Sequence, residues 1–228
     1  MDKETFELLK NLEKGYSLSE NEMSILKSLN FVNIENKING KGIEALEPYR
    51  VKRAIIMAAG FGSRMAPLTL KTPKPLVKVK GVRFIDTLIT RLVKVGITDI
   101  TIVRGYLKDK FDILLNDYPF LKFVDNDKFD KENNISSAML VTDLFENTYI
   151  CEADFYITGN DVIEKYQYET NYLCSLVDTT DDWCFDYDER REKLVNYRKG
   201  GSNTLQAFGI SYWNKKDGIT LRNKLKEM

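Results

Sequence analysis

Residues 53–60, RAIIMAAG, form a near-continuous apolar run. Directly behind it residues 57–76, MAAGFGSRMAPLTLKTPKPL, crowd two glycines, one arginine, two lysines and three prolines. A run without polar alternation suits a central parallel strand buried on both faces. DITIVRGY at 99–106 is a second such run, and between them Phe84, Ile85, Leu88, Ile89, Leu92 and Val93 mark one helical stripe ending at Gly96. The unit is βαβ. Strand and helix signals continue to alternate through LKFVDND, NNISSAMLVTDLF, TYICEADFY and YLCSLVDT. The expected fold is therefore α/β, a doubly wound, mostly parallel, Rossmann-like sheet. Ligands of such sheets bind beyond the carboxyl ends of the strands, where the glycine- and proline-rich loop falls.

That loop meets neither of two familiar phosphate-binding patterns. A dinucleotide fingerprint needs a small residue where Met65 stands, and a P-loop needs Gly-Lys-Ser/Thr at a helix mouth. Pro67, Pro73 and Pro75 instead predict a stiff loop, extended over most of its length. Gly60 and Gly62 would let backbone N–H groups approach an anion closely. Arg64 adds a bidentate fork, and Lys71 and Lys74 add point charges braced by prolines. A polyphosphate suits the set; a tight strand exit with solvated lysines is the plain structural alternative.

Balanced charge, 34 basic against 34 acidic side chains, gives no general case for a nucleic-acid coat or an anionic membrane surface. The start, MDKETFELLK, has no apolar signal core, and no run of about 18 apolar residues occurs, so a soluble, cytoplasmic protein is expected. Cys151, Cys174 and Cys184 have no metal spacing and read as reduced, mostly buried side chains. The chain has no histidine. Histidine bases, histidine-activated nucleophiles and histidine metal sites are thereby excluded, leaving chemistry run by Lys, Arg and a carboxylate-held Mg²⁺ on charged phosphates.

Residues 1–50 read separately from the remainder, 51–228. Phe6, Leu8, Leu9 and Leu12 recur at helical spacing, and Ser19 with Glu22 forms a capping-box pattern before MSILKSL. FVNIENKING predicts a short ribbon with an Asn39-Gly40 turn, and KGIEALEPY a last helix stopped at Pro48. Two helices, a ribbon and a helix resemble a trimmed winged-helix domain. Seven bases against nine acids, net −2, weigh against DNA as its partner and toward a docking or dimerising module, with a homodimer as one outcome.

The signature loop, with its G-x-G-x-R and P-K-P-L elements, resembles that of nucleotidyltransferases joining an NTP to a phosphorylated small molecule. VRGYLKDKFD, ENNISSAMLVTDLF, YICEADFY and DDWCFDYD are similar to the CTP:phosphocholine cytidylyltransferases of bacterial choline incorporation, over about residues 53–215. The resemblance implies that Arg64 and Lys74 hold the triphosphate in the transition state and that Asp154 binds Mg²⁺. It also implies nucleotide contacts from Ala59, Gly60, Gly62 and Ser63, with Gly105, Asn133 and Asn134 near the base. Read alone, Asp154 could equally be a strand-end turn carboxylate.

For the acceptor, a quaternary ammonium is recognised by aromatic faces and a nearby carboxylate. DDWCFDYDE sets Trp183, Phe185 and Tyr187 at alternate positions, which on a strand share a face, among Asp181, Asp182, Asp186 and Asp188. Trp183 is the preferred cage residue, with Tyr156 and Trp213 as further walls; packing on the core is the alternative. Sugar-1-phosphate nucleotidyltransferases, the larger branch, carry Gly-Asp at the first metal site and a Glu-Lys-Pro segment. This chain has EAD and no Glu-Lys-Pro. Phosphocholine, phosphoethanolamine or an aminophosphonate is therefore expected over a sugar. Family members continue past SYWNKKDGITLRNKLKEM and supply a second metal-binding aspartate, so a C-terminally truncated domain is expected, or Asp161 or another acid as substitute. A nucleotide-sensing regulator without turnover is the competing class of answer.

Overall fold

The computed structural model describes residues 1–132, 134–159 and 162–227. Asn133 and Asp161, both named above, lie outside them. Helix α1 (Lys3–Glu13) starts where the Asp2 side chain accepts from the Thr5 N–H, and α2 (Glu20–Ser28) carries the Ser19–Glu22 capping box expected from the sequence. Helix α3 (Gly40–Leu46) departs from expectation at its start. Asn39 is not a hairpin turn residue; at φ −102° it lacks the positive φ such a turn needs, and its side chain caps the helix by accepting from the Gly42 N–H. The turn lies earlier, with Asn36 at φ 60°, and the ribbon is a single Val32–Ile38 bridge where a wing needs a ladder.

The main sheet runs β5 (Lys122–Asp125), β4 (Ile100–Arg104), β1 (Arg53–Ala58), β6 (Thr148–Glu152), β8 (Lys193–Trp213), β7 (Asn171–Asp188). The first four pair in parallel; β8 is antiparallel to both β6 and β7. Strand β1 is the centre, its Ile56 opposite Ile102 on one side and Cys151 on the other. A small β2 (Lys78–Val79) and β3 (Val82–Arg83) ladder leads into α4 (Phe84–Lys94). Helix α4 lays Ile85, Leu88, Ile89 and Leu92 on the sheet face that carries Ala54, Ile56 and Ala58. The opposite face carries Ile55 and Val103 beneath Phe145 and Leu225 of α6 (Lys215–Lys226), with Ala138 of α5 (Asn134–Met139) packed against them. YLCSLVDT and DDWCFDYD, read from the sequence as strand segments, are one strand, β7, which does not stand alone. Instead β7 and β8 form one long hairpin whose register shifts at several points break the two-residue period.

Residues 1–50 keep a core of their own, Phe6, Leu9, Leu26, Val32 and Leu46, but Tyr166 completes it from the other unit. Tyr168 stacks on Tyr49 at 5.3 Å and lies 5.3 Å from the Phe6 ring. Lys10 and Lys14 both reach Glu164, and Lys165 reaches Glu13. The 163–168 segment is thus a bracket holding the appendage at the amino end of β1.

Candidate active site

At the carboxyl end of β1 the chain turns through Ala59, whose carbonyl accepts from the Tyr106 N–H at 3.0 Å. That bond ties the ends of β1 and β4, and Gly105 is needed there: a Cβ would lie 2.7 Å from Phe129 Cβ and 2.9 Å from the Ala59 carbonyl oxygen. Phe61, Tyr106 and Phe129 close the same corner, Phe61 lying 5.0 and 5.2 Å from the other two rings. Gly60 faces open space. Gly62 is left-handed at φ 62° and opens the turn Ser63–Met65; a Cβ on it would approach Lys74 Cβ to 2.9 Å. Thr69 Oγ1 donates to the Gly62 carbonyl at 3.0 Å, pulling the far limb of the loop back over the near one. The loop is less extended than its prolines suggest. Three single 3₁₀ turns, Ser63–Met65, Leu68–Leu70 and Lys74–Leu76, alternate with extended residues, because proline is also tolerated in the first turn of a helix.

Lys74 Nζ donates to Asp154 Oδ2 at 2.8 Å, joining the loop to the segment just beyond β6. Asp154 Oδ1 is buried and has no hydrogen-bond partner among the described residues. Arg64 is exposed and, like Lys71, makes no ion pair among the described residues. Glu152, two residues before Asp154, was not singled out from the sequence. Burial, then the neighbouring Asp154 and Asp182, push its carboxyl above the ordinary range, while Lys74 and Arg64 pull against them. Its spacing from Asp154 was the available signal, since residues i and i+2 at a strand end face the same way. Gly209 of β8 makes room for it: a Cβ there would sit 2.5 Å from Glu152 Cδ.

Beside this cluster a cavity of about 320 Å³ is lined by Glu152, Asp182, Trp183, Tyr197, Phe208 and Asn134. Trp183 is 47% exposed and stacks on Tyr197 at 4.8 Å, and Phe185 packs on the same ring at 4.7 Å. Tyr187 does not join them; it is 51% exposed, beyond a register shift. Tyr156 lies apart from the cavity, its ring edge-on to Phe84, and Trp213 packs on Tyr172 with its indole N–H donating to Ser211. Asn134 lies with the aromatic group rather than with Ala59 and Gly105. Tyr197 carried no signal in the sequence, because only the hairpin register brings it to Trp183.

The class follows from fold and site together. The sequence profile of the nucleotidyl transferase family matches residues 53–182, and the chain belongs to that family: it is a nucleotidyltransferase. A 2-aminoethylphosphonate cytidylyltransferase of Lancefieldella rimae is 42% identical over 74% of this chain and 69% of its own length. A choline-phosphate cytidylyltransferase of Streptococcus pneumoniae is 35% identical over 71% of this chain and 70% of its own. The solved structure of a CTP:phosphocholine cytidylyltransferase from Streptococcus pneumoniae superposes with a TM-score of 0.71 at 34% identity, covering 78% of this chain and 77% of that one.

Proposed function

We propose that this chain transfers CMP from CTP to a small phosphorus oxyanion bearing a cationic amine, releasing pyrophosphate. The observation that carries the reading is the acidic and aromatic cavity, Glu152 and Asp182 with Trp183 and Tyr197, adjoining the Lys74–Asp154 pair. An acceptor oxygen attacks the α-phosphorus and forms the new P–O bond as the bond to the β-phosphate oxygen breaks. Both electrons of that bond leave with pyrophosphate. A phosphomonoester is largely dianionic above its second pKa of about 6, so no general base is required. The protein supplies alignment and charge neutralisation.

In this reading Gly60, Gly62 and Ser63 present backbone to the triphosphate, Arg64 and Lys74 offset its charge, and Ala59 with Gly105 forms the floor for the base. Asn134 belongs with the acceptor cavity. The residues suit Mg²⁺, which when bound neutralises phosphate charge: Asp154 Oδ1 is an unpartnered buried carboxylate oxygen, and Mg²⁺ is commonly held by one or two carboxylates plus substrate phosphates. Among the described residues no three acids, cysteines or histidines form a full metal cage, which fits a site completed by substrate.

Two carboxylates favour a primary ammonium with three N–H donors, and the 42% relative points to 2-aminoethylphosphonate as the leading acceptor. Phosphocholine is the second reading, favoured by the exposed Trp183 face. Residues 1–50 are proposed as a docking module on a transferase unit of 51–228, and the described residues hold no helix long and apolar enough to cross a membrane. The test is pyrophosphate release with CTP, Mg²⁺ and, in turn, 2-aminoethylphosphonate, phosphocholine, phosphoethanolamine and glucose 1-phosphate. Turnover of the sugar phosphate alone, or CTP binding without turnover of any acceptor, would reject the proposal.

A further inference from the structure

A cavity larger than the acceptor cavity lies away from the signature loop, at the junction of the N-terminal appendage with the sheet. It encloses about 590 Å³ between α1, the carboxyl end of α4 and the 163–166 segment. Its walls carry six cations, Lys10, Lys14, Arg50, Arg91, Lys94 and Lys165, against the two carboxylates Glu13 and Glu164. Glu7 and Glu47, just outside, pair with Lys10 and Arg50. Each acid is thereby matched, and two positive charges remain.

The unmatched pair are Arg91 and Lys94. Among the described residues Lys94 makes no ion pair, and Arg91 donates only to carbonyls, through Nε to Gly159 at 2.6 Å and through Nη1 to Thr87 at 2.6 Å. Those two carbonyls fix the guanidinium in place without neutralising it. Cations at the last turn of a helix are favoured by its dipole, which accounts for Arg91 and Lys94 singly. It does not account for Lys14 and Lys165 facing them across a cavity from other elements.

We infer that this junction is a second anion site, selective for a short polyphosphate chain rather than a single phosphate. Three arguments support that class. The cations are distributed over α1, α4 and the 163–166 segment, so only an extended anion meets several at once. The cavity is larger than the acceptor cavity. Lys14 and Lys165 are held by acids that a phosphate oxygen can replace, because charge-assisted contacts to phosphate match those to carboxylate. A bound polyphosphate bridges the appendage and the transferase unit, so occupancy tightens the junction. The source is either inorganic polyphosphate or the phosphate tail of a nucleotide; Tyr16, 55% exposed on the rim, offers a ring to a base.

The test uses the full chain carrying Arg64→Ala and Lys74→Ala, which disables the signature loop as a competing phosphate site. Calorimetric titration with inorganic tripolyphosphate is expected to give one saturable site, and adding Lys94→Glu is expected to weaken it at least about ten-fold, or 1.4 kcal/mol. Lys94→Gln should give a smaller loss, and a thermal melt of each variant should show it folded well above the titration temperature, since Lys94 makes no ion pair among the described residues and gives up only its favourable place at the helix end. ATP binding tighter than tripolyphosphate assigns the site to a nucleotide, and equal binding assigns it to the phosphate chain alone. The inference is overturned by absence of saturable binding, by unchanged affinity in Lys94→Glu, or by binding of duplex DNA in place of tripolyphosphate.

Discussion

Trp183 was legible as an aromatic beside acids, but whether it faces ligand or core was not, because strand alternation alone does not say which face is covered. At 47% exposure it is outside the core. Trp183→Ala should therefore weaken the cationic acceptor by about 1 to 2 kcal/mol, with CTP affinity and the melting temperature unchanged, and Trp183→Phe should recover part of the loss. Calorimetry of both ligands beside a thermal melt decides it, and equal losses for CTP and acceptor would return Trp183 to a structural role. Glu152 gives a pH signature. Its raised pKa means that the fold prefers the protonated form, so its contribution to stability is present below the ordinary carboxyl pKa and lost as pH rises through the folded value. Glu152→Gln should then raise the melting temperature at neutral pH and lose that advantage in acid. Acceptor binding runs the opposite way, needing the ionised form: affinity should fall with pH in the wild type more steeply than in Glu152→Gln. The acceptor's own phosphorus oxyanion titrates alike with both proteins, so the difference between the two curves isolates Glu152. Parallel curves would remove Glu152 from the acceptor site.

Elements differed in how far the sequence reveals them. The capping box at Ser19 and the apolar β1 and β4 are local patterns of a few residues, and the signature loop is local too, since glycine and proline restrict the backbone wherever they occur. The β7–β8 hairpin is not local. Its register shifts spoil the period of two, and its partner residues lie up to 41 positions apart, as for Asn171 and Tyr212, so Tyr197 could not be matched to Trp183; Gly209 meets Glu152 only through the still longer-range pairing of β6 with β8. Within the loop the two glycines separate by role. Gly62→Ala meets a positive φ and the Lys74 Cβ at 2.9 Å, so it should cost about 1 to 2 kcal/mol of stability and weaken CTP together. Gly60→Ala has room for its methyl group and should leave the melt unchanged while weakening CTP, because the methyl occupies the space proposed for phosphate. Undiminished CTP affinity in Gly60→Ala would move the triphosphate elsewhere.

At the scale of the molecule, the sequence divides the chain near residue 50 because the apolar strand texture begins there, yet Tyr166 and Tyr168 belong to the appendage's packing and give no such sign. An aromatic residue in a polar stretch, EKYQYET, reads as surface until the element covering it is known. The two ends of β1 therefore see different things: the bracket at the amino end, and the signature loop six residues on, about 20 Å away at roughly 3.3 Å per residue. Deleting residues 1–50 should uncover Tyr166, now 1% exposed, and strip Glu164 of both lysines. Burial of one large side chain and an ion pair together contribute about 2 to 4 kcal/mol, which corresponds to a fall of about 5 to 15 °C in melting temperature. CTP affinity, measured well below the new melt, should stay within about two-fold of the full chain, because the loop and the bracket lie at opposite ends of β1. Replacing Tyr166 by serine in the shortened chain should recover solubility without altering CTP binding. A shortened chain that melts as the full chain does would mean that the bracket holds nothing. One that stays folded but loses CTP would mean that the appendage organises the loop across the length of the sheet, and the division at residue 50 would fail.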